Sequence, residues 1–404
     1  MSDTILVINA GSSSLKFQLF DLAGSSHDID LNLRGQVEGI ASHPRLIVRN
    51  AWKEVIAEET FPAADVPDAQ AALFQLGGWL RTRLGGVLPA AVGHRVVHGG
   101  PVYDTHVAVD DDVLATLDAL APLAPLHQPN NLAPIRAIRT LQPNLLQVAC
   151  FDTAFHRGHS DLADRYAIPE KLYREGVRRY GFHGLSYEYI ARCLPNVAPE
   201  IADGRVVVAH LGSGASMCAM RNGRSIDSTM GFTALDGLPM GTRSGQLDPG
   251  VILHLLTRKG MSAGALEYLL YHECGLKGLS GISGDVRDLL ASNNPRAELA
   301  LDYFVYRAAQ ALGSLAASLD GLDAVVFTAG IGENSANVRR RVCAGLGWLG
   351  IELDHDANES GADVISAPNS PTKVLIVRTS EETMIALHVL EAMSEEAMIE
   401  DATA

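Results

Sequence analysis

The chain has 404 residues, a length that favours two domains over one or three. It is 47% hydrophobic and 20% charged, the composition of a globular protein that can bury large cores. Its formal charge of −15 argues against nucleic acid or an anionic membrane as the main partner, so any phosphate site must be a local cationic cluster in an acidic field.

Residues 5–8 (Ile-Leu-Val-Ile) form an apolar, β-rich run that predicts a buried strand. Asn9, Gly11, Ser12, Ser13, Ser14 and Lys16 follow at once, and residues 16–20 predict a return strand. A tight glycine turn full of hydroxyls, followed by a lysine, can cradle phosphate through backbone N–H groups, serine hydroxyls and one point charge. It is not the usual nucleotide loop, because no GxxxxGK[ST] run occurs and a strand follows the turn. An exposed hairpin turn would have the same composition, so the rest of the chain must decide.

Further strands are expected at 46–48, 91–94 and Leu146–Phe151, with helices over Ala69–Arg83 and 131–140 between them. A second half opens with a strand at 206–209. Strands at Ala324–Thr328 and 373–378 follow, then a last helix over 381–398. This alternation indicates an α/β fold. The run Val206-Val-Val-Ala-His-Leu-Gly212-Ser213-Gly214 repeats the layout of the first hairpin. Gly11-Ser12 and Gly212-Ser213 fall about half a chain apart, which favours a duplicated fold with two phosphate-facing hairpins opposed across a cleft. No low-complexity linker separates the halves, so the boundary, placed near Phe151-Asp152, is expected to be a hinge. The expected domains are 1–151 and 152–384, with helix 385–404 packing back on the first.

Five cysteines at wide spacings, with no CxxC pair, argue against a disulfide framework or a zinc site. The N-terminus lacks a signal-type core, and no apolar run is long enough to span a membrane. The expected location is the cytoplasm, without a membrane partner.

Several segments carry chemistry. Gly93-His94-Arg95-Val96-Val97-His98-Gly99-Gly100 ends a strand in an arginine suited to gripping a carboxylate or phosphate. Ala124-Pro125-Leu126-His127-Gln128-Pro129-Asn130-Asn131 holds a histidine between prolines, and its Asn pair is expected to cap the next helix. Phe151-Asp152-Thr153-Ala154-Phe155-His156 sets an acid at the carboxyl end of a strand, where open α/β sheets bind ligands. Arg178-Arg179-Tyr180-Gly181-Phe182-His183 adds a further histidine. Met240-Gly241-Thr242-Arg243-Ser244-Gly245 puts an arginine inside a glycine-rich stretch, as if for close approach to an anion. Thr328-Ala329-Gly330-Ile331-Gly332 reads as a strand, a glycine turn and a helix N-terminus, a seat for a nucleotide. Glu381-Glu382 pairs two carboxylates after a strand, suited to Mg²⁺ through water. Taken singly, such residues more often make surface arginines, hydrogen-bonded histidines, helix caps and solvated acids.

Taken together, VINAGSSSLKF, GHRVVHGG, CFDTAFH, RRYGFHGLSY, GFTALDGLPMGTRSG, FTAGIGENS and RTSEE closely resemble, in order and over nearly the whole chain, the acetate kinases, the acetokinase family of the actin/Hsp70/sugar kinase superfamily. The resemblance implies two duplicated actin/ribonuclease H-like α/β domains with an active-site cleft between them, usually in a homodimer. The second domain would carry the nucleotide site and the dimer contact. It implies reversible, Mg²⁺-dependent phosphoryl transfer from ATP to acetate, giving acetyl phosphate and ADP, with Mn²⁺ able to stand in for Mg²⁺. By motif, Asn9, Ser12, Ser14 and Lys16 face the phosphates and metal, and Glu381 matches the metal ligand. Arg95 and Arg243 contact the acetyl carboxylate and the moving phosphoryl group. His127 and His183 line the same place, and Asp152 is the essential acid. His210, Gly212, Ser213 and Gly214 lie by the phosphates. Asp285, Arg287, Gly330 and Ile331 match the adenosine pocket. Val97, Leu126 and Phe182 match the pocket for the substrate methyl group.

Three positions depart from the family pattern. Ser213 replaces an amide, Ala234 stands where a proline helps close the acyl pocket, and Ser380 precedes Glu381 in place of asparagine. The second change widens the pocket toward propionate, so a propionate or broad short-chain acyl kinase is the alternative. An ATP-driven conformational switch of the actin or Hsp70 kind is the reading from another class. The two arginines and two histidines aimed at a second substrate argue against it.

Overall fold

The structure, a computed structural model, describes residues 3–11, 13–22, 29–125 and 127–403. The chain divides into two compact units, Met1–Ala154 with Ser380–Ala404, and Phe155–Thr379. The first division falls just past the expected boundary and keeps Asp152 with the strand it ends. The second falls before residue 385, so Glu381 and its whole helix join the first unit.

The first unit holds eight strands: β1 (Thr4–Ala10), β2 (Ser14–Leu22), β3 (Ile29–Glu38), β4 (Arg45–Asn50), β5 (Val55–Thr60), β6 (Ala91–Val96), β7 (Val107–Ala108) and β8 (Leu146–Phe151). They form one sheet in the order β5-β4-β3-β2-β1-β6-β8-β7. β1 to β5 make an antiparallel meander, β1, β6 and β8 run parallel, and β7 pairs antiparallel at the edge. Leu6, Ile8, Leu15, Phe17 and Leu19 alternate onto one face. They share a buried core with Ala72, Leu73, Leu76 and Leu80 of helix Ala69–Arg83. The helix Glu381–Thr403 packs on β1, β6 and β8. Gly93 permits this contact: a Cβ there would lie 2.5 Å from Ile385 Cγ2 and 2.7 Å from Val389 Cγ2 of that helix.

The second unit holds β9 (Arg205–Leu211), β10 (Ala215–Arg221), β11 (Arg224–Ser228), β12 (Ala324–Thr328) and β13 (Lys373–Ile376), ordered β11-β10-β9-β12-β13. Asn222 and Gly223 both take positive φ in the β10–β11 hairpin, as a tight two-residue turn requires. β9, β12 and β13 run parallel. Val206, Val208, Cys218 and Val326 pack against Tyr187, Ile190 and Leu194 of helix Gly184–Val197. The run β11-β10-β9-β12-β13 repeats β3-β2-β1-β6-β8 in order and direction, so the sequence echo marks a duplicated sheet. The two hairpins differ by one residue. Ala10 pairs Leu15 across the first turn, and Leu211 pairs Ala215 across the second. Among the described residues no helix is long and apolar enough to cross a membrane.

Candidate active site

In the first unit the site grows from strand alternation. Asn9 pairs directly with Lys16 across β1–β2, so both side chains stand on one face. Arg95 lies two residues beyond Gly93 and shares the face that receives the terminal helix. Its Nε donates to Asp152 Oδ1 at 2.8 Å, and its Nη2 to Oδ2 at 2.6 Å. Glu381 Oε2, at the start of that helix, lies 3.7 Å from the same Nε. Burial alone would weaken the proton on Arg95, but the charges of Asp152 and Glu381 outweigh it and hold the guanidinium firmly cationic. Burial pushes the Asp152 carboxyl above the ordinary carboxylate range, and the Arg95 pair pulls against it, as does the nearby His127. Burial, then the adjacent Glu381, raises Glu382, with Lys16 and Arg95 opposing.

The expected helix cap at Asn130-Asn131 is not what forms. The helix Gln128–Leu141 starts earlier, capped at His127 without a side-chain bond, and Pro129 occupies its first turn. Asn131 therefore lies inside the helix, buried, with its Nδ2 donating to the Ala10 carbonyl and its Oδ1 accepting from Val97 N–H. That side chain ties the end of β1 to the end of β6. Gly99 N–H donates to Thr153 Oγ1, a second tie between the arginine and aspartate segments. Ser14 opens β2, and Val97 is buried just past β6. Ser12 and Leu126 lie outside the described residues.

In the second unit His210 extends the face of Val206 and Val208 and meets helix Gly184–Val197. Its ring stacks on His183 at 4.2 Å between centroids, 15° from parallel. His183 itself sits at φ 59, a left-handed conformation that a side chain takes only when its surroundings hold it there. Two hydroxyls hold the stack: Ser216 Oγ lies 2.8 Å from His183 Nδ1, and Ser186 Oγ lies 2.8 Å from His210 Nδ1. Ser186 Oγ in turn donates a hydrogen bond to Thr379 Oγ1. The glycine hairpin lies against these groups. A Cβ on Gly214 would stand 3.2 Å from His183 Nε2 and 3.9 Å from Arg243 Nη2. On Gly212 it would stand 3.7 Å from Ala329 Cβ. Ser213 accepts from Gly241 N–H, and Arg243 Nη1 donates to the Ala234 carbonyl at 3.0 Å.

Phe182 is buried, and its carbonyl faces His156 Nε2 at 3.0 Å. That nitrogen therefore carries the proton, and Nδ1 accepts from Ser225 at 2.8 Å. Burial, then the neighbouring His159, keeps His156 well below the ordinary histidine pKa, so the ring is a neutral strut.

A further expectation changes. No glycine turn precedes residue 330: β12 runs directly into helix Ala329–Asn334, with Ala329 itself at φ 64, so Gly330 and Ile331 lie within the helix. Glu333 makes this junction possible. Its Oε1 accepts from Ala329 N–H at 2.9 Å and from Thr379 N–H at 3.2 Å. Asp285 and Arg287 bond each other on the surface. Asp285 caps the helix Val286–Leu290, and this pairing, led by the Arg287 side chain, lowers its pKa to about 2. Asn131, Ser186 and Ser216 carry no site signal in the sequence because each acts through a partner distant along the chain, and Glu333 joins its neighbour Ala329 to the distant Thr379.

The comparisons with known proteins agree with one another. Residues 4–387 match the Acetokinase family. An acetate kinase of Nitrobacter hamburgensis is 59% identical over 97% of this chain and 96% of its own length. The crystal structure of Porphyromonas gingivalis acetate kinase superposes with a TM-score of 0.85 at 36% identity, covering 95% of this chain and 98% of that one. A propionate kinase from Francisella tularensis superposes with a TM-score of 0.87 at 35% identity, covering 96% and 99%. A match of this extent, over a sheet duplicated in order and direction, leaves one assignment: the chain belongs to the acetokinase family.

Proposed function

We propose that the chain transfers a phosphoryl group reversibly from ATP to acetate, giving acetyl phosphate and ADP. The observation that carries this reading is Arg95, gripped in two bonds by a buried Asp152 in a chain 59% identical to an acetate kinase. A carboxylate with a pKa of about 4.3 is already ionised at neutral pH, so the nucleophile needs no strong base. It needs relief from repulsion by the phosphates. In the forward step an acetate oxygen bonds to the γ-phosphorus as the bond to the β–γ bridging oxygen breaks, and ADP leaves with that electron pair. Arg95, Arg243, His127, His183 and Lys16 supply positive charge or donors to the three equatorial oxygens. Asp152 orients Arg95 and takes no proton. Transfer is direct, and a phosphoenzyme forming and decaying at the turnover rate in a rapid quench would refute this.

ATP and ADP are substrates, and a divalent ion is the implied cofactor. The donor set fits Mg²⁺: Asn9 and Glu381 offer only oxygen ligands on the terminal-helix side of the first sheet, and Mg²⁺ takes one or two such ligands with water and phosphate oxygens. Mn²⁺ accepts the same donors. The ion would neutralise charge on the phosphates. In the nucleotide reading, Ser12, Ser14, His210 and residues 212–214 serve the phosphates. Gly330, Ile331, Asp285 and Arg287 serve the adenosine, which requires Asp285 and Arg287 to give up their mutual pair. Val97, Leu126, Phe182 and Ala234 keep the methyl-group assignment that their motifs imply.

The homodimer is supported by the helix Pro249–Thr257. It carries Val251, Ile252, Leu253, Leu255 and Leu256 yet buries none of its residues in this chain. Tyr268 and Tyr306 of the same unit are also exposed. An exposed helix this apolar fits a surface covered by a second copy.

The direct test is Mg²⁺-dependent acyl phosphate formation trapped with hydroxylamine, comparing acetate, propionate and butyrate by kcat/KM. Acetate is expected ahead. One methylene is worth about 0.8 kcal/mol, about fourfold, so the margin over propionate is modest. ATP hydrolysis without acyl phosphate from any acid would refute the proposal.

A further inference from the structure

Away from the phosphate residues, the terminal helix carries a second constellation. His388 and Glu391 stand three residues apart and so share one helix face. His106, immediately before the edge strand β7, meets them in the folded first unit. One ring nitrogen from each histidine and one carboxylate oxygen of Glu391 lie within 4.8 Å of one another. The two imidazoles are 4.7 Å apart at 30°, and His106 Nδ1 is 3.8 Å from Glu391 Oε2. Among the described residues this is one place where three such side chains converge so closely.

We infer that His106, His388 and Glu391 form a transition-metal site, suited to Zn²⁺. Two imidazole nitrogens and one carboxylate oxygen are a set that Zn²⁺ binds in a tetrahedron, leaving one position for water. Mg²⁺ prefers an all-oxygen shell and is poorly served by imidazole. Tetrahedral Zn²⁺ with bonds of about 2.1 Å needs ligands about 3.4 Å apart, a short contraction from the observed spacing. His388 is buried and fixed by the helix, whereas Glu391 is 42% exposed, which gives the ion a way in. The strongly acidic chain raises the local concentration of cations. Cysteine spacing could not reveal this site, because its ligands are imidazole and carboxylate groups brought together only by folding.

The site has a structural consequence. His388 is about two turns, roughly 10 Å, along the helix from Glu381. A metal joining it to His106 clamps the helix to the edge of the sheet and so steadies the segment that carries Glu381. The clamp would tune the placement of that residue without touching substrate.

The full-length protein, stripped with a chelator, is titrated with Zn²⁺ by calorimetry in excess Mg²⁺, and separately with Co²⁺ while visible spectra are recorded. The expected result is one Zn²⁺ per chain, a Co²⁺ spectrum of tetrahedral intensity and a Tm that rises until one equivalent is bound. Glu391→Gln, at a partly exposed side chain, and the near-isosteric His106→Gln, at a largely buried one, should each weaken Zn²⁺ binding at least tenfold while the far-ultraviolet circular dichroism stays unchanged. Absence of stoichiometric Zn²⁺ binding, or binding that survives both substitutions unchanged, would overturn the assignment and leave the three side chains a structural ion-pair network.

Discussion

Replacing Asp152 by asparagine keeps the side chain's shape and removes its charge. Asn Oδ1 can still accept from Arg95 Nε, but an amide NH₂ would then face Arg95 Nη2 where Oδ2 now accepts at 2.6 Å. Donor would meet donor, and Arg95 would turn toward Glu381, already 3.7 Å from its Nε. Breaking one partner of a buried ion pair costs about 3–5 kcal/mol. Arg95 is 22% exposed and keeps Glu381 as an alternative, so the lower end applies. About 3 kcal/mol of lost orientation corresponds to about a hundredfold at 1.36 kcal/mol per decade. The expected outcome is therefore a fall of about a hundredfold in kcat/KM for acetate, measured by hydroxylamine trapping. ATP affinity, measured by calorimetry on the same preparation, should hold within about twofold, because His210, the glycine hairpin and the residues proposed for the adenosine all belong to the other unit. A variant that folds and retains kcat/KM within threefold would refute the orienting role. A parallel loss of ATP affinity would show that the pair supports the fold at large instead of the acyl end of the reaction.

Three further outcomes are expected. His94 is buried, bonded to Gln147, and held by desolvation at a pKa of about 4, below its ordinary 6.5. The unfolded chain thus binds the extra proton first, so stability is full above about pH 6.5 and falls by up to about 3 kcal/mol as pH drops toward 4. Urea unfolding at several pH values should show a shallower fall for His94→Gln, and identical slopes would refute the assignment. Leu253→Glu, on the exposed apolar helix, should convert a dimer to a monomer by light scattering, and an unchanged mass would remove that helix from the interface. Glu333→Gln takes a charged acceptor from Ala329 and Thr379, bonds worth about 1.5–3 kcal/mol each. It should raise KM for ATP about tenfold and leave KM for acetate alone, while an unchanged KM for ATP would separate Glu333 from the nucleotide.

The duplicated fold was legible because each copy opens with the same local signal, a β-rich run broken by a Gly-Ser turn. Arg95 and Asp152 could each be placed at the carboxyl end of a strand, but it is the parallel pairing of β6 with β8 that makes them partners. What stayed illegible depends on contacts between segments far apart in sequence. Asn131 looks like a helix cap until the helix is seen to begin three residues earlier, at which point its amide can only turn inward to Ala10 and Val97. Gly330 looks like part of a turn until Glu333 is seen holding Ala329 at positive φ.

The same contrast explains how two copies of one sheet can serve different tasks. In the first copy the hairpin keeps a lysine opposite an asparagine and leaves both on a face closed by an acidic helix end. In the second, a turn shorter by one residue brings Gly214 against His183, which is already stacked on His210. A side chain on Gly214 would press on His183 Nε2 at 3.2 Å and disturb the stack. The first copy is thus built around ionised side chains, and the second around exposed backbone and imidazole. Under the proposed function, charge in the first copy suits a metal and a carboxylate beside the phosphates, and the backbone N–H groups of the second suit the phosphate chain. Divergence of the two halves therefore needed changes at the strand ends and turns, while the apolar alternation that fixes the sheets stayed in place.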